Sequence, residues 1–170
     1  MASEQNRRSF LQIACTAAAG FFFASTSGAA AKPCATTRVL FVCPLGVVQS
    51  VIAREELRRI AKARGLRVQA LSRGIDPPKI HPEADISPGL AAHLRERNID
   101  AFADPLRRYS RTEPTHADIT IAFNEAALAP GLKHARAWKS PSWNDQYPEA
   151  NEALSKNIEA LVSELAARQC

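Results

Sequence analysis

The sequence predicts an α/β fold, a three-layer sandwich whose central four-stranded parallel sheet is flanked by helices. Three observations carry that expectation. Short apolar runs rich in β-branched and aromatic residues recur along the chain, amphipathic stretches at helical spacing lie between them, and the first such unit has the length of a right-handed crossover.

Arg38-Val39-Leu40-Phe41-Val42-Cys43 is apolar almost throughout, as a strand buried on both faces requires. After a short loop, Ser50 to Arg64 reads as a helix: Ile52, Ala53, Leu57, Ile60 and Ala61 share one face, charges occupy the other, and Gly65 closes it. Leu66 to Leu71 alternates as a second strand, completing the crossover unit. Residues 72–87, rich in Gly, Pro and Asp, predict a long connection. Ser87-Pro88 then supplies an N-cap and a first-turn proline for a helix through Arg97, with Asn98 placed to close it. Residues 100–115 carry Pro105, Pro114 and Arg107, Arg108 and Arg111, which predicts an irregular stretch with solvated charges. A third strand is expected over Ala117–Phe123 and a weaker fourth over Ala135–Trp138. The final helix has Pro148 near its start, Glu149 and Glu152 in its first turn, and Leu154, Ile158, Leu161, Val162 and Leu165 at helical spacing.

Composition sets the outer bounds. The chain has 170 residues, 46% hydrophobic and 23% charged, with 22 Lys+Arg against 17 Asp+Glu for a net +5. These values fit one folded domain and exclude a disordered or collagen-like chain; the charge is too dispersed for a nucleic-acid tail. His81, His93, His116 and His134 are scattered without metal-ligand spacing and there is no Cys-x-x-Cys, so no metal and no cofactor are expected.

The first 31 residues read differently from the rest. Arg7-Arg8 directly precedes an apolar stretch from Phe10 to about Ala24, free of acidic residues and rich in Ala, Thr and Gly, which ends in the small residues Ser25-Thr26-Ser27-Gly28-Ala29-Ala30-Ala31. This segment resembles a bacterial twin-arginine signal peptide. About 15 apolar residues fall short of the roughly 20 that span a bilayer, so export with cleavage to the periplasm is expected rather than a stable membrane anchor. Cys15 is poorly placed for lipidation because the apolar run continues beyond it. Residues 1–31 hold two arginines and one glutamate, so their removal leaves a 139-residue domain, 32–170, at +4.

In an open parallel sheet, ligands bind beyond the carboxyl ends of the strands, where the strand order reverses. Cys43 ends the first strand and begins the loop Cys43-Pro44-Leu45-Gly46-Val47-Val48-Gln49-Ser50, which runs into a helix N-terminus. Backbone amides of such a loop, with the helix dipole behind them, make an anion pocket and favour thiolate over thiol. Taken by itself, a cysteine ending an apolar strand is more often a structural thiol.

The run Val39 to Cys43, five intervening residues, a sixth position and then Ser50 resembles the phosphate loop of low-molecular-weight protein tyrosine phosphatases, whose fold is shared by thioredoxin-coupled arsenate reductases. Ser72-Arg73-Gly74 resembles the family's Ser-Ala-Gly, His116-Ala117-Asp118-Ile119 its third strand, and Trp143-Asn144-Asp145-Gln146-Tyr147-Pro148 its late aspartate loop. The resemblance spans nearly all of residues 38–168. It implies Cys43 as the nucleophile toward phosphorus, Ser50 as the hydroxyl that stabilises the thiolate, and Asp145 as the acid for the leaving group. It also implies a phosphate cradle formed by Leu45, Gly46, Val47, Val48 and Gln49. The family places an arginine where Gln49 stands. A guanidinium grips two phosphoryl oxygens through a planar fork, whereas a glutamine amide offers one neutral donor group. Leu45 and Gly46 stand where the family prefers Gly and Asn, Val51 replaces a usual proline, and Gln146 replaces the proline after the aspartate.

The resemblance thus implies a degenerate phosphatase that binds phosphate, a phosphorylated ligand or a partner protein. The alternatives are an active phosphomonoester hydrolase working through a phosphocysteine, an arsenate reductase, or a thiol-redox protein. Arsenate reduction is disfavoured because residues 72–90 contain no resolving cysteine. Arg73 is a candidate to approach the pocket and restore the missing charge. After cleavage Cys34, Cys43 and Cys170 remain. With Cys34 at the sheet end opposite Cys43 and the last helix running back toward that end, a Cys34–Cys170 disulfide with Cys43 free is expected, against the alternative of three free or mixed-oxidation thiols.

Overall fold

The computed structural model describes residues 35–79, 86–102 and 104–169. The expected export segment over 1–31 and the expected Cys34–Cys170 bridge fall outside them; Cys43 is a free, buried thiol.

Four parallel strands, β1 (Thr37–Cys43), β2 (Val68–Gly74), β3 (Ile119–Phe123) and β4 (Arg136–Trp138), pair in the order β2-β1-β3-β4. The chain leaves β1 through helix α1 (Gln49–Ala63) to β2 on one side and later returns to β3 on the other. The order therefore reverses at β1, whose carboxyl end is Cys43, the position where such a sheet opens a ligand crevice. Helix α2 (Pro88–Glu96) and helix α3 (Tyr147–Gln169) complete the regular elements, with short 3-10 turns over Glu113–His116 and Asn124–Leu128.

Alternation along β1 divides the core. Val39, Phe41 and Cys43 face a large cluster with Ile52 and Leu57 of α1, Leu90 and Leu94 of α2, and Leu154, Ile158, Val162 and Leu165 of α3. Leu40 and Val42 face the other way, under a thinner layer made from Ala126 of the second 3-10 turn, Leu132 and the half-buried Tyr109. Phe41, Phe123 and Trp138 pack in tilted and edge-on pairs at centroid distances of 5.8–6.4 Å, which fastens the three-residue strand β4 to the sheet.

The helix ends follow the punctuation in the sequence. Ser87 Oγ accepts from the Leu90 amide with Pro88 in the first turn of α2. Asn98 takes φ +54° after α2, and Gly65 takes φ +67° after α1. The structure corrects the expected end of the second strand: Ser72, Arg73 and Gly74, assigned from composition to a connection, continue β2, because β1 offers them partners as far as Cys43 opposite Gly74. The side chain of Arg108 is well solvated, as expected for the 100–115 stretch, but the backbone there is ordered by pairing. Gly74 N donates to Arg107 O at 3.0 Å and Tyr109 N to Gly74 O at 2.8 Å.

Candidate active site

The loop from Cys43 to Ser50 is set by two glycines. Gly46 has φ +74°, a conformation that L side chains rarely adopt. A Cβ on Gly46 would stand 2.6 Å from Gly74 N, and a Cβ on Gly74 would stand 2.4 Å from Leu45 O. The end of β2 thus presses directly on the loop, and Ile75 N and Asp76 N extend the contact by donating to Cys43 O and Pro44 O.

This clamp turns the Gly46 amide onto Cys43 Sγ at 3.1 Å. Ser50 Oγ lies 3.1 Å from the same sulfur and 3.3 Å from the Arg73 carbonyl, to which it donates. Ser50 has one proton to give. With the thiol neutral, Cys43 S–H can donate to Ser50 Oγ while the serine serves Arg73; a thiolate would draw the serine proton to sulfur and leave that carbonyl without it. Burial pushes the Cys43 thiol above its ordinary pKa, and the hydrogen bonds from the Ser50 side chain and the backbone amides of Ser50, Gly46 and Leu45 offset this only in part. No side chain caps the first turn of α1 and no acidic residue lies in it, and its Ser50 amide is directed at Cys43.

Above the sulfur opens a cleft of ≈ 400 Å³ lined by Cys43, Pro44, Leu45, Val47, Val48, Gln49, Glu125, Ser142, Trp143 and Asn144. Of the five residues expected to form the cradle, Leu45, Val47, Val48 and Gln49 line this cleft, whereas Gly46 does not and turns its amide onto Cys43 Sγ. Asp145 is exposed, and its carboxylate accepts from Ser142 Oγ at 2.7 Å; its neighbours 142–144, rather than Asp145, form the cleft wall. That wall is held by a reciprocal amide pair. Asn124 Nδ2 donates to Ser140 O at 3.1 Å, Ser140 N donates to Asn124 Oδ1 at 2.9 Å, and Trp143 Nε1 donates to Ser140 Oγ.

Arg73 does not supply charge to the pocket. Its guanidinium pairs with Glu113 and with the Ser72 carbonyl, so only its backbone oxygen reaches the loop, through Ser50. Alternation explains this: Ser72 and Gly74 are buried, and Arg73 between them points to the opposite face of β2. Glu125, which the sequence reading missed, stands on the cleft rim. Its signal is position, just beyond the carboxyl end of β3. Among the described residues no cluster of three His, Cys, Asp or Glu side chains could hold a metal ion.

A cysteine ending the central strand and feeding an amide-lined loop at the head of a helix defines an α/β protein of the phosphate-loop class. The model of the low molecular weight phosphotyrosine protein phosphatase family matches residues 38–137, and the chain belongs to that family. No curated protein matches it in sequence. Its fold is similar to that of a low molecular weight protein tyrosine phosphatase from Bacillus subtilis (17% identity over 79% of this chain and 100% of that one, TM-score 0.56). It is also similar to a thioredoxin-dependent arsenate reductase from Corynebacterium glutamicum (22%, 79% and 63%, TM-score 0.58). A third similar structure is Wzb from Vibrio vulnificus, solved in complex with benzylphosphonate (12%, 76% and 99%, TM-score 0.54).

Proposed function

We propose that this protein is an exported, phosphatase-like binding protein that takes phosphate or a phosphorylated ligand, free or carried on a partner protein, and hydrolyses it poorly. The observation that carries this reading is the charge of the cleft: among the described residues neither a Lys nor an Arg side chain lines it, and Gln49 occupies the position where family resemblance calls for arginine. Arginines that stabilise phosphoryl transfer contribute roughly 10³–10⁵ in rate, and a neutral amide cannot replace that charge. The raised thiol pKa supports the same reading, because the thiol rather than the thiolate predominates near neutrality.

The test is hydrolysis of an aryl phosphate by the wild type, Cys43→Ser and Gln49→Arg, together with binding of phosphate and vanadate. Wild-type turnover at the level of Cys43→Ser, with a gain in Gln49→Arg, is expected. Wild-type turnover abolished by Cys43→Ser would instead establish an active hydrolase, a reading favoured by the Gly46 and Ser50 contacts to Sγ. Export rests on Arg7-Arg8 and the apolar run behind them, and is tested by N-terminal sequencing of the protein recovered from a periplasmic fraction.

A further inference from the structure

The charge balance of the cleft goes further than the loss of activity and bears on what the site holds. We infer that it selects singly charged oxyanion groups, such as a sulfate ester or a phosphodiester, over the doubly charged phosphomonoester of the same shape. This inference rests on the binding function proposed above.

The attractive groups are dipoles. The helix α1 N-terminus presents roughly half an elementary charge, and the Gln49 side chain among the lining residues carries a neutral amide donor. Opposing them, Glu125 brings a carboxylate to the rim. Two arginines borne by elements that flank the loop are engaged away from the cleft. Arg54 of α1 holds Ser72, Glu55 and Asp104, and Arg73 of β2 holds Glu113. A monoanion is matched by half a charge and a set of donors. The second charge of a dianion must shed its water without meeting a cation among the described lining residues, in a cleft whose one lining charge is the Glu125 carboxylate.

Benzylsulfonate and benzylphosphonate isolate the effect, because they share shape and resist hydrolysis but differ by one charge at about pH 8.5, above the second ionisation of a phosphonate. Calorimetric titration of the full chain should give benzylsulfonate at least about tenfold tighter binding than benzylphosphonate. Gln49→Arg should reverse that order. Glu125→Gln, which leaves the loop intact, should narrow it by improving the phosphonate more than the sulfonate. Phenyl sulfate and methyl phenyl phosphate, each set against phenyl phosphate on the Cys43→Ser protein, then distinguish a sulfate ester from a diester as the preferred source. Equal or tighter binding of benzylphosphonate by the wild type overturns the inference while leaving the binding function standing. Binding of neither compound, nor of phosphate, by a wild type whose circular dichroism shows it folded overturns both.

Discussion

Gly46 and Gly74 are in backbone contact so close that neither tolerates a side chain: the missing Cβ of Gly46 would stand 2.6 Å from Gly74 N and 2.7 Å from its Cα. Gly46→Ala adds strain at φ +74° to that clash, and Gly74→Ala drives a methyl into the Leu45 carbonyl. Each is expected to cost about 2–4 kcal/mol in urea denaturation and to expose Cys43 to alkylation near neutral pH. Because both act on one contact, the double variant should cost clearly less than the sum of the two. Additive losses would show that the clamp is not shared.

The clamp also marks the limit of what local sequence determines. The strands, the helices, both helix caps and the loop from Cys43 to Ser50 follow from local pattern, since periodicity and punctuation are written within a few residues of where they act. The contact of Gly46 with Gly74 joins residues 28 positions apart, and the extension of β2 depends on which strand lies beside it. The same holds for side-chain aim. Arg73 was legible as a nearby charge, but its turn toward Glu113 follows from β-strand alternation combined with the distant 113–116 turn. Glu125 carries no signature of its own beyond its place two residues after β3, which gains meaning only once that strand is set beside β1.

Helix packing hangs on another distant pair. Glu56 of α1 is almost fully buried; it accepts from Arg59 at 2.9 and 3.1 Å and from Arg97 at the end of α2, and Arg97 also donates to Asn151 of α3. Arg97→Ala removes the partner that ties the three helices and leaves the carboxylate with Arg59, which is largely in solvent. A loss of about 2–4 kcal/mol is expected from the urea midpoint, against less than about 1 kcal/mol for Arg59→Ala.

Arg54 presents the opposite asymmetry. Its guanidinium is buried against Ser72 Oγ at 2.9 Å while Nη2 has no hydrogen-bond partner, and its carboxylate partners Glu55 and Asp104 remain partly or largely solvated. Arg54→Met removes a buried charge with an unmet donor and returns two carboxylates to water, so stability should change by less than about 1 kcal/mol. Ser72→Ala keeps the charge and strands a further N–H, at about 1–2 kcal/mol. A larger loss for Arg54→Met than for Ser72→Ala would reverse the assignment.

Cys43 gives the pH dependence a definite sign. Burial holds its pKa above the ordinary thiol value of about 8.5, so the folded protein keeps a proton that the unfolded chain gives up as pH rises through that value. The unfolded state then binds fewer protons, and the contribution of Cys43 to stability, complete below that range, is lost as pH increases. The same shift governs reactivity. Alkylation of Cys43, followed by mass spectrometry of its peptide, should rise with a midpoint above about pH 8.5 in the wild type. Gln49→Arg places a cation beside the sulfur and should lower that midpoint by roughly one pH unit or more. Ser50→Ala removes the hydroxyl 3.1 Å from the sulfur and should raise it. A wild-type midpoint near neutrality would mean that the loop already stabilises a thiolate without help from a cation, and the cleft with Gln49 in place of arginine would then be competent for nucleophilic attack.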